Sequence, residues 1–244
     1  MTRSFGRVDY KVQEAEYFLL ELRRLTQKWN IAAVQFCTSA FVSAARSITY
    51  AMQASLKGHP KFQPWYEVQR RRLKQNALSR FFHDFRRMTH HIGSNTVRAA
   101  ESGPDGPRYY FLPCDDLPVV PDIDVLSACE NYFKNVLRLV YDCYLEFGNV
   151  IDGQQFFTKE NFDSLGKTIE DAEEEIGFPR GFTDIGKPNT ESYRWELLRR
   201  QADGCQIEQQ FWNWLQLSLP QPHPLPPYQP CHAQNSHSKS SRRL

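Results

Sequence analysis

Apolar residues recur at helical spacing over most of the chain, and this pattern predicts a series of long helices. The first two helices are expected over 10–29 and 31–57, and Gly58 begins the turn that ends the second. The second helix is apolar on nearly every side, so we expect it to occupy the centre of the fold. A third amphipathic helix is predicted over 62–90, before Gly93 interrupts the pattern.

The pattern changes after the third helix. A glycine- and proline-rich turn at 102–107 separates two short runs of strand-forming residues, which predicts a β-hairpin inside an insertion at about 92–120. Helical periodicity returns over 122–147, where Asp122 or Asp124 is in position to cap the helix.

Two more helices are predicted in the remaining chain. A short acidic helix begins after Thr158 and ends at Ile176, and a last helix at 191–217 contains tryptophans that either pack in the core or form a partner surface. Residues 219–244 are rich in proline, serine and basic residues, which predicts a disordered tail.

These elements predict an all-α fold, an antiparallel helical bundle with a small β-hairpin insertion. The bundle is expected to occupy residues 1–150. The C-terminal helices, over 151–218, are expected to pack against it.

Composition narrows the classes of function. The formal net charge of the 244-residue chain is only +2, so any nucleic-acid contact must come from a local basic patch. None of the six cysteines forms a CxxC pair or stands at zinc-ligand spacing from histidines. The N-terminus lacks a signal-peptide core, and no apolar run approaches the roughly 20 residues that span a bilayer. We therefore expect a soluble cytoplasmic protein with neither a metal nor another cofactor, and no membrane partner.

The end of the third predicted helix carries the clearest chemical pattern. Arg86 is followed five positions later by His91. Arginine offers a planar, permanently charged fork to a phosphate, and histidine exchanges protons near neutral pH. RNA carries its own nucleophile, the 2′-hydroxyl, so such a pair is sufficient for cleavage without a metal. Arginine and histidine are also common at any helix C-terminus, so the spacing fits ordinary helix-end chemistry as well.

The second predicted helix has one polar face. Ser39, Ser43, Arg46 and Tyr50 follow one another at spacings of four, three and four residues. An arginine on an otherwise apolar helix needs a partner, and both Asp84 and a phosphate meet that need.

These features together resemble the HEPN superfamily (higher eukaryote and prokaryote nucleotide-binding) of helical-bundle proteins, over roughly residues 10–150. The segments that carry the resemblance are, in order, 43–53, 62–66 and 81–91. HEPN proteins carry an Arg-x4-6-His motif, which Arg86 and His91 match in its shortest form. The resemblance implies a metal-independent endoribonuclease that acts as a homodimer on RNA. It also implies a toxin or defence role, with an antitoxin or a nucleotidyltransferase as a further partner.

Under this resemblance, His91 transfers protons and Arg86 binds the scissile phosphate. Arg87, His90 and Arg46 are expected to be further RNA or phosphate contacts. Arg87 stands where the family commonly has a small polar residue, and the adjacent histidines leave the choice of catalytic histidine open. The alternatives are a non-catalytic HEPN-like module that binds RNA, a nucleotide or a protein, and a purely structural helical protein.

Overall fold

The computed structural model describes residues 4–104 and 106–220, without the side chain of Ala99. The helices, in chain order, are α1 (Gly6–Leu25), α2 (Ile31–Ser55), α3 (Phe62–Gln75), α4 (Ala77–His91), α5 (Val125–Ile151), α6 (Gly153–Phe156), α7 (Lys159–Ser164), α8 (Ile169–Ile176), α9 (Glu191–Gln201) and α10 (Glu208–Leu215). Strands β1 (Val97–Gly103) and β2 (Gly106–Phe111) form an antiparallel hairpin between α4 and α5. The predicted mostly helical fold with a small β-hairpin is therefore confirmed.

The single helix predicted over 62–90 is in fact two helices, α3 and α4. At Asn76 the backbone is extended (φ −75°, ψ 119°), which ends α3. The Asn76 side chain accepts a hydrogen bond from the Ser79 backbone N–H at 2.8 Å and thereby caps the N-terminus of α4. Because of this break, α4 has its own direction. It buries one apolar face composed of Phe81, Phe82, Phe85 and Met88.

The two later helices are also divided. The acidic helix predicted after Thr158 consists of α7 and α8, each capped by the side chain of a threonine. The helix predicted over 191–217 is interrupted between α9 and α10. Its first part, α9, joins a second hydrophobic cluster around Phe162 and Trp195, whereas Phe211 of α10 lies in the main core.

The central helix is α2, which packs against α1, α4 and α5. Contrary to the expectation from sequence, α2 is long and apolar enough to cross a membrane by length and composition alone. A core helix of a soluble protein meets the same criterion. Here Phe41, Ile48 and Met52 of α2 are fully buried against the neighbouring helices.

The β-hairpin is attached to the helical core. The ring of Phe111 on β2 lies 4.8 Å from that of Phe81 and 5.4 Å from that of Phe85, measured between centroids. The Tyr109 hydroxyl donates to the Lys28 carbonyl at 2.5 Å and accepts from the Asn30 N–H at 2.9 Å. The hairpin therefore holds both α4 and the turn between α1 and α2.

The end of the described chain folds back on the core. Leu219 is buried, and the Tyr141 hydroxyl donates to the Ser218 carbonyl at 2.9 Å. The Trp214 indole N–H donates to Glu16 at 2.7 Å, whereas Trp212 is exposed. Most of the tail predicted to be disordered, from residue 221 onward, lies outside the described residues.

The described cysteines are free thiols. Burial raises the pKa of Cys129 and Cys143 well above the ordinary value, and it raises the pKa of Cys37 to about 11. These three thiols are therefore protonated at neutral pH and act as small apolar residues of the core.

One buried carboxylate makes the stability of the fold depend on pH. Asp9 accepts hydrogen bonds from the Tyr144 hydroxyl at 2.8 and 2.9 Å and from the Gln206 N–H at 3.0 Å. Loss of solvent nevertheless raises the pKa of Asp9 from 3.8 to about 6, against the lowering effect of these hydrogen bonds. The folded protein therefore binds this proton more tightly than the unfolded chain does.

We expect the Asp9 contribution to stability to be complete below about pH 4 and to be lost as the pH rises through about 6. The shift corresponds to about 3 kcal/mol between these limits. Urea unfolding of the wild type and of Asp9→Asn from pH 4 to 8 measures this contribution, since other carboxylates cancel in the difference. A difference in unfolding free energy that does not change with pH would contradict it.

Candidate functional site

The polar face of α2 and the C-terminal end of α4 meet in the structure. The Ser43 hydroxyl of α2 lies 2.6 Å from Nε2 of His90 on α4. Arg46 lies one helical turn after Ser43 on α2, and Arg86 lies one turn before His90 on α4. We refer to Ser43, Arg46, Arg86 and His90 as the α2–α4 cluster.

Arg46 is half-buried and packs against an aromatic ring. Its guanidinium carbon lies 4.9 Å from the centroid of Tyr50, one turn along α2, which is a cation–π distance. Hydrogen bonding with Arg46 and its positive charge lower the pKa of Tyr50, and the more distant charge of Arg86 acts in the same direction. The charges of Arg46 and Arg86 therefore both affect the Tyr50 hydroxyl.

Arg86 is also half-buried, and its Nε–H is buried without a hydrogen-bond partner in the described structure. A buried donor of this kind is rare, because leaving it unpaired costs free energy. Within the described residues, neither Arg86 nor Arg46 forms an ion pair with a carboxylate. Asp84, which the sequence offered as a partner for Arg46, instead lies 3.9 Å from Arg87.

The Ser43 contact indicates which nitrogen of His90 carries a proton. Ser43 has one hydroxyl proton, and it donates this proton to the Ser39 carbonyl at 2.8 Å, as a serine within a helix commonly does. The Ser43 oxygen then accepts from Nε2–H of His90. This assignment is inferred from the hydrogen-bond network. It leaves Nδ1 of His90 as the nitrogen without a proton.

The segment after α4 fixes the end of this helix against α2. The Asn95 amide donates to the Gln35 carbonyl and to the Ser39 hydroxyl, each at 3.2 Å. In return, the Gln35 amide donates to the Val97 carbonyl at 2.7 Å. These bonds hold the start of β1 beside α2 and so restrict where His90 can lie.

Tyr132 of α5 packs against α4, and the sequence did not single it out. Its ring stacks on Phe82 with centroids 4.6 Å apart. Burial raises the pKa of the Tyr132 hydroxyl to about 12, although the charges of Arg46 and Arg86 oppose this rise. Tyr132 is therefore a neutral hydrogen-bond donor within the field of both arginines. Tyr132 is recognised only through its stacking on Phe82, a contact between residues far apart in the sequence that no local sequence pattern indicates.

The five residues predicted to form the site divide into two groups. His90 contacts Ser43 on the polar face of α2 that also carries Arg46, and it shares a face of α4 with Arg86, whereas Arg87 and His91 lie on another side of α4. A separation of five residues turns about 140° around a helix, and a separation of four turns only about 40°. The geometry therefore pairs Arg86 with His90 within one chain, although the motif spacing favoured His91.

Within the residues that the structure describes, no three His, Cys, Asp or Glu side chains are grouped so as to hold a metal ion. Comparison of the chain with protein-family models, with curated proteins and with solved structures finds no match. The interpretation of the site consequently depends on its own geometry and on the chemistry of its residues.

Proposed function

We propose that this protein is a metal-independent endoribonuclease of HEPN type and that the α2–α4 cluster is its active site. The observation that carries the proposal is the 2.6 Å contact between Ser43 and His90, with Arg46 and Arg86 each one turn away along its own helix and without a carboxylate partner among the described residues. Two such guanidinium groups bind an anion with two or more oxygens. A phosphodiester is such an anion, and a neighbouring histidine can transfer the protons that its cleavage requires.

In this mechanism Arg86 and Arg46 bind the non-bridging oxygens of the scissile phosphate. Their charge, and a hydrogen bond from Tyr132, stabilise the negative charge that accumulates on the pentacoordinate phosphorus. His90 removes the proton from the 2′-hydroxyl, whose oxygen then bonds to phosphorus. The bond to the 5′-oxygen breaks, and that oxygen is protonated by solvent or by a second copy of the chain. The products are a 2′,3′-cyclic phosphate and a 5′-hydroxyl.

We further propose that the active form is a cytoplasmic homodimer. Support comes from large exposed aromatic rings on the α1–α2 hairpin. Tyr10, Tyr17 and Phe36 are 62%, 60% and 74% exposed. Such rings are enriched in protein interfaces. A toxin or defence role, with an antitoxin or a nucleotidyltransferase as partner, belongs to the same proposal through the HEPN resemblance.

The test is cleavage of a mixed single-stranded RNA pool in EDTA by the wild type and by Arg86→Ala/His90→Ala. We expect cleavage by the wild type alone, with 2′,3′-cyclic phosphate ends. Arg138→Ala is a matched control, because Arg138 is an exposed helical arginine whose partner, Asp142, lies on the same helix. Equal cleavage by the wild type and the double variant would disprove the assignment.

One observation favours a second function, a non-catalytic module that binds RNA or a nucleotide. The hydrogen bond with Ser43 occupies Nε2 of His90, and no carboxylate of the described residues bonds to this histidine. A catalytic histidine is commonly oriented by a carboxylate. Binding of RNA that depends on Arg46 and Arg86, without cleavage by a folded dimer, would support this second function.

A further inference from the structure

Positive charge is concentrated in one short part of the chain. Residues 57–92 contain nine lysines and arginines and only two carboxylates, a formal charge of +7. Since the whole chain carries +2, the remaining residues carry −5. The weak overall charge therefore conceals a strongly basic segment that includes α3 and α4. A local patch of this kind is the electrostatic signature of a polyanion-binding surface.

On α4 two of these arginines alternate with two histidines along one stripe. Arg80, His83, Arg87 and His91 follow one another at spacings of three, four and four residues, and all four are exposed. They lie on the side of α4 away from the buried phenylalanines. At about 1.5 Å per residue, the stripe from Arg80 to His91 is about 16 Å long. We name these four residues the α4 track.

Little within the chain neutralises the α4 track. Asp84 lies 3.9 Å from Arg87, but both side chains are largely exposed, so the attraction is screened by water. Arg80 forms no ion pair with any described residue. The neighbouring helix α3 packs against α4 and adds the exposed Arg71, which likewise lacks an ion pair among the described residues.

The α4 track leads to the α2–α4 cluster, because His91 adjoins His90 at the end of the helix. We propose that the track binds the sugar–phosphate backbone of single-stranded RNA that flanks the scissile phosphate. This inference rests on the proposed function and specifies its substrate. At about 3.4 Å per nucleotide of a stacked strand, 16 Å corresponds to about five nucleotides. The proposed substrate is therefore an extended RNA strand that contacts both the track and the cluster. A dinucleotide, in contrast, contacts only the cluster.

The test uses Arg80→Ala/Arg87→Ala, which removes two charges from the track and leaves the cluster intact. Fluorescence anisotropy with a 20-nucleotide single-stranded RNA gives the affinity between 50 and 300 mM salt. We expect the slope of log K against log salt to become shallower by about 1.4, since each phosphate contact on a single strand contributes about 0.7. Cleavage of the 20-nucleotide RNA should become slower at low substrate concentration, whereas cleavage of a dinucleotide, which occupies only the cluster, should not change.

The matched control is Lys159→Ala/Arg180→Ala. It removes the same charge from the acidic part of the chain over 159–191, where both residues form ion pairs with glutamate or aspartate. We expect the salt slope of this variant to equal that of the wild type. For DNA of the same sequence, the salt slope should decrease by the same amount in the track variant, because the track contacts phosphates and not bases.

The outcomes separate the two proposals. A salt slope that is unchanged in the track variant, with cleavage retained, would overturn the track alone. A salt slope that decreases in the track variant, without cleavage by any of the proteins, would support RNA binding by the track and contradict the catalytic proposal. A track variant that alters only self-association in sedimentation, with RNA affinity unchanged, would assign the stripe to a protein contact and overturn the inference.

Discussion

Replacing His90 by alanine is expected to lower the single-turnover rate of RNA cleavage by about 10²- to 10⁴-fold, the range for loss of a general acid or base. His91→Ala is expected to leave the single-turnover rate at saturating enzyme close to that of the wild type, because His91 lies about 140° around α4 from Arg86 and belongs to the α4 track, which affects binding. The reason for this difference is geometric. His90 contacts Ser43 at 2.6 Å and shares a helix face with Arg86, whereas His91 does neither.

The two histidine variants serve as controls for each other, since each removes one exposed imidazole from the last turn of the same helix. Single-turnover rates at saturating enzyme separate the chemical step from binding. Circular dichroism and sedimentation establish that both variants are folded and have the wild-type oligomeric state. The opposite result, with loss only in His91→Ala, would contradict our choice of histidine and agree with the family motif spacing.

Phe82→Ala is expected to destabilise the fold by about 3–5 kcal/mol, the usual range for a buried phenylalanine. Phe82 is fully buried, stacks on Tyr132 at 4.6 Å and contacts the ring of Phe111 at 6.0 Å, both measured between centroids. Its removal leaves a cavity where α4, α5 and the hairpin meet. Because Tyr132 loses its stacking partner, we also expect slower RNA cleavage at temperatures where the variant remains folded.

Val119→Ala is the control for this substitution. Val119 is 77% exposed and lies outside the α1–α2 hairpin, so its removal is expected to change the unfolding free energy by no more than about 0.5 kcal/mol. Urea unfolding, followed by tryptophan fluorescence and by circular dichroism, measures both variants. A loss below about 1 kcal/mol in Phe82→Ala would mean that the aromatic packing around α4 is not as described.

The helical periodicity predicted the long helices well where one face is uniformly apolar. α2 and α5 begin and end within a few residues of the predicted limits, and Asp124 caps α5 as one of two proposed residues. The break at Asn76 was not predicted, because the apolar spacing continues across it. α3 ends there because the Asn76 side chain accepts a hydrogen bond from the Ser79 N–H, which competes with continuation of the backbone helix.

The site was predictable only in part. The polar face of α2 is a sequence pattern, and it correctly placed Ser43 and Arg46 on one side of the helix. The choice between His90 and His91 depends on how α4 is rotated against α2, which tertiary packing decides. Asp84, one of the two partners that the sequence allowed for Arg46, does not pair with it and lies 3.9 Å from Arg87 on its own helix.

The central claim is that the α2–α4 cluster directs cleavage by the 2′-hydroxyl of RNA. The most direct measurement uses DNA strands that contain a single central ribonucleotide, incubated in EDTA with the wild type and with Arg86→Ala. We predict cleavage only on the 3′ side of the ribonucleotide, with a 2′,3′-cyclic phosphate end, and a loss of at least about 100-fold in Arg86→Ala. Cleavage at deoxynucleotides, or equal cleavage by both proteins, would contradict the account.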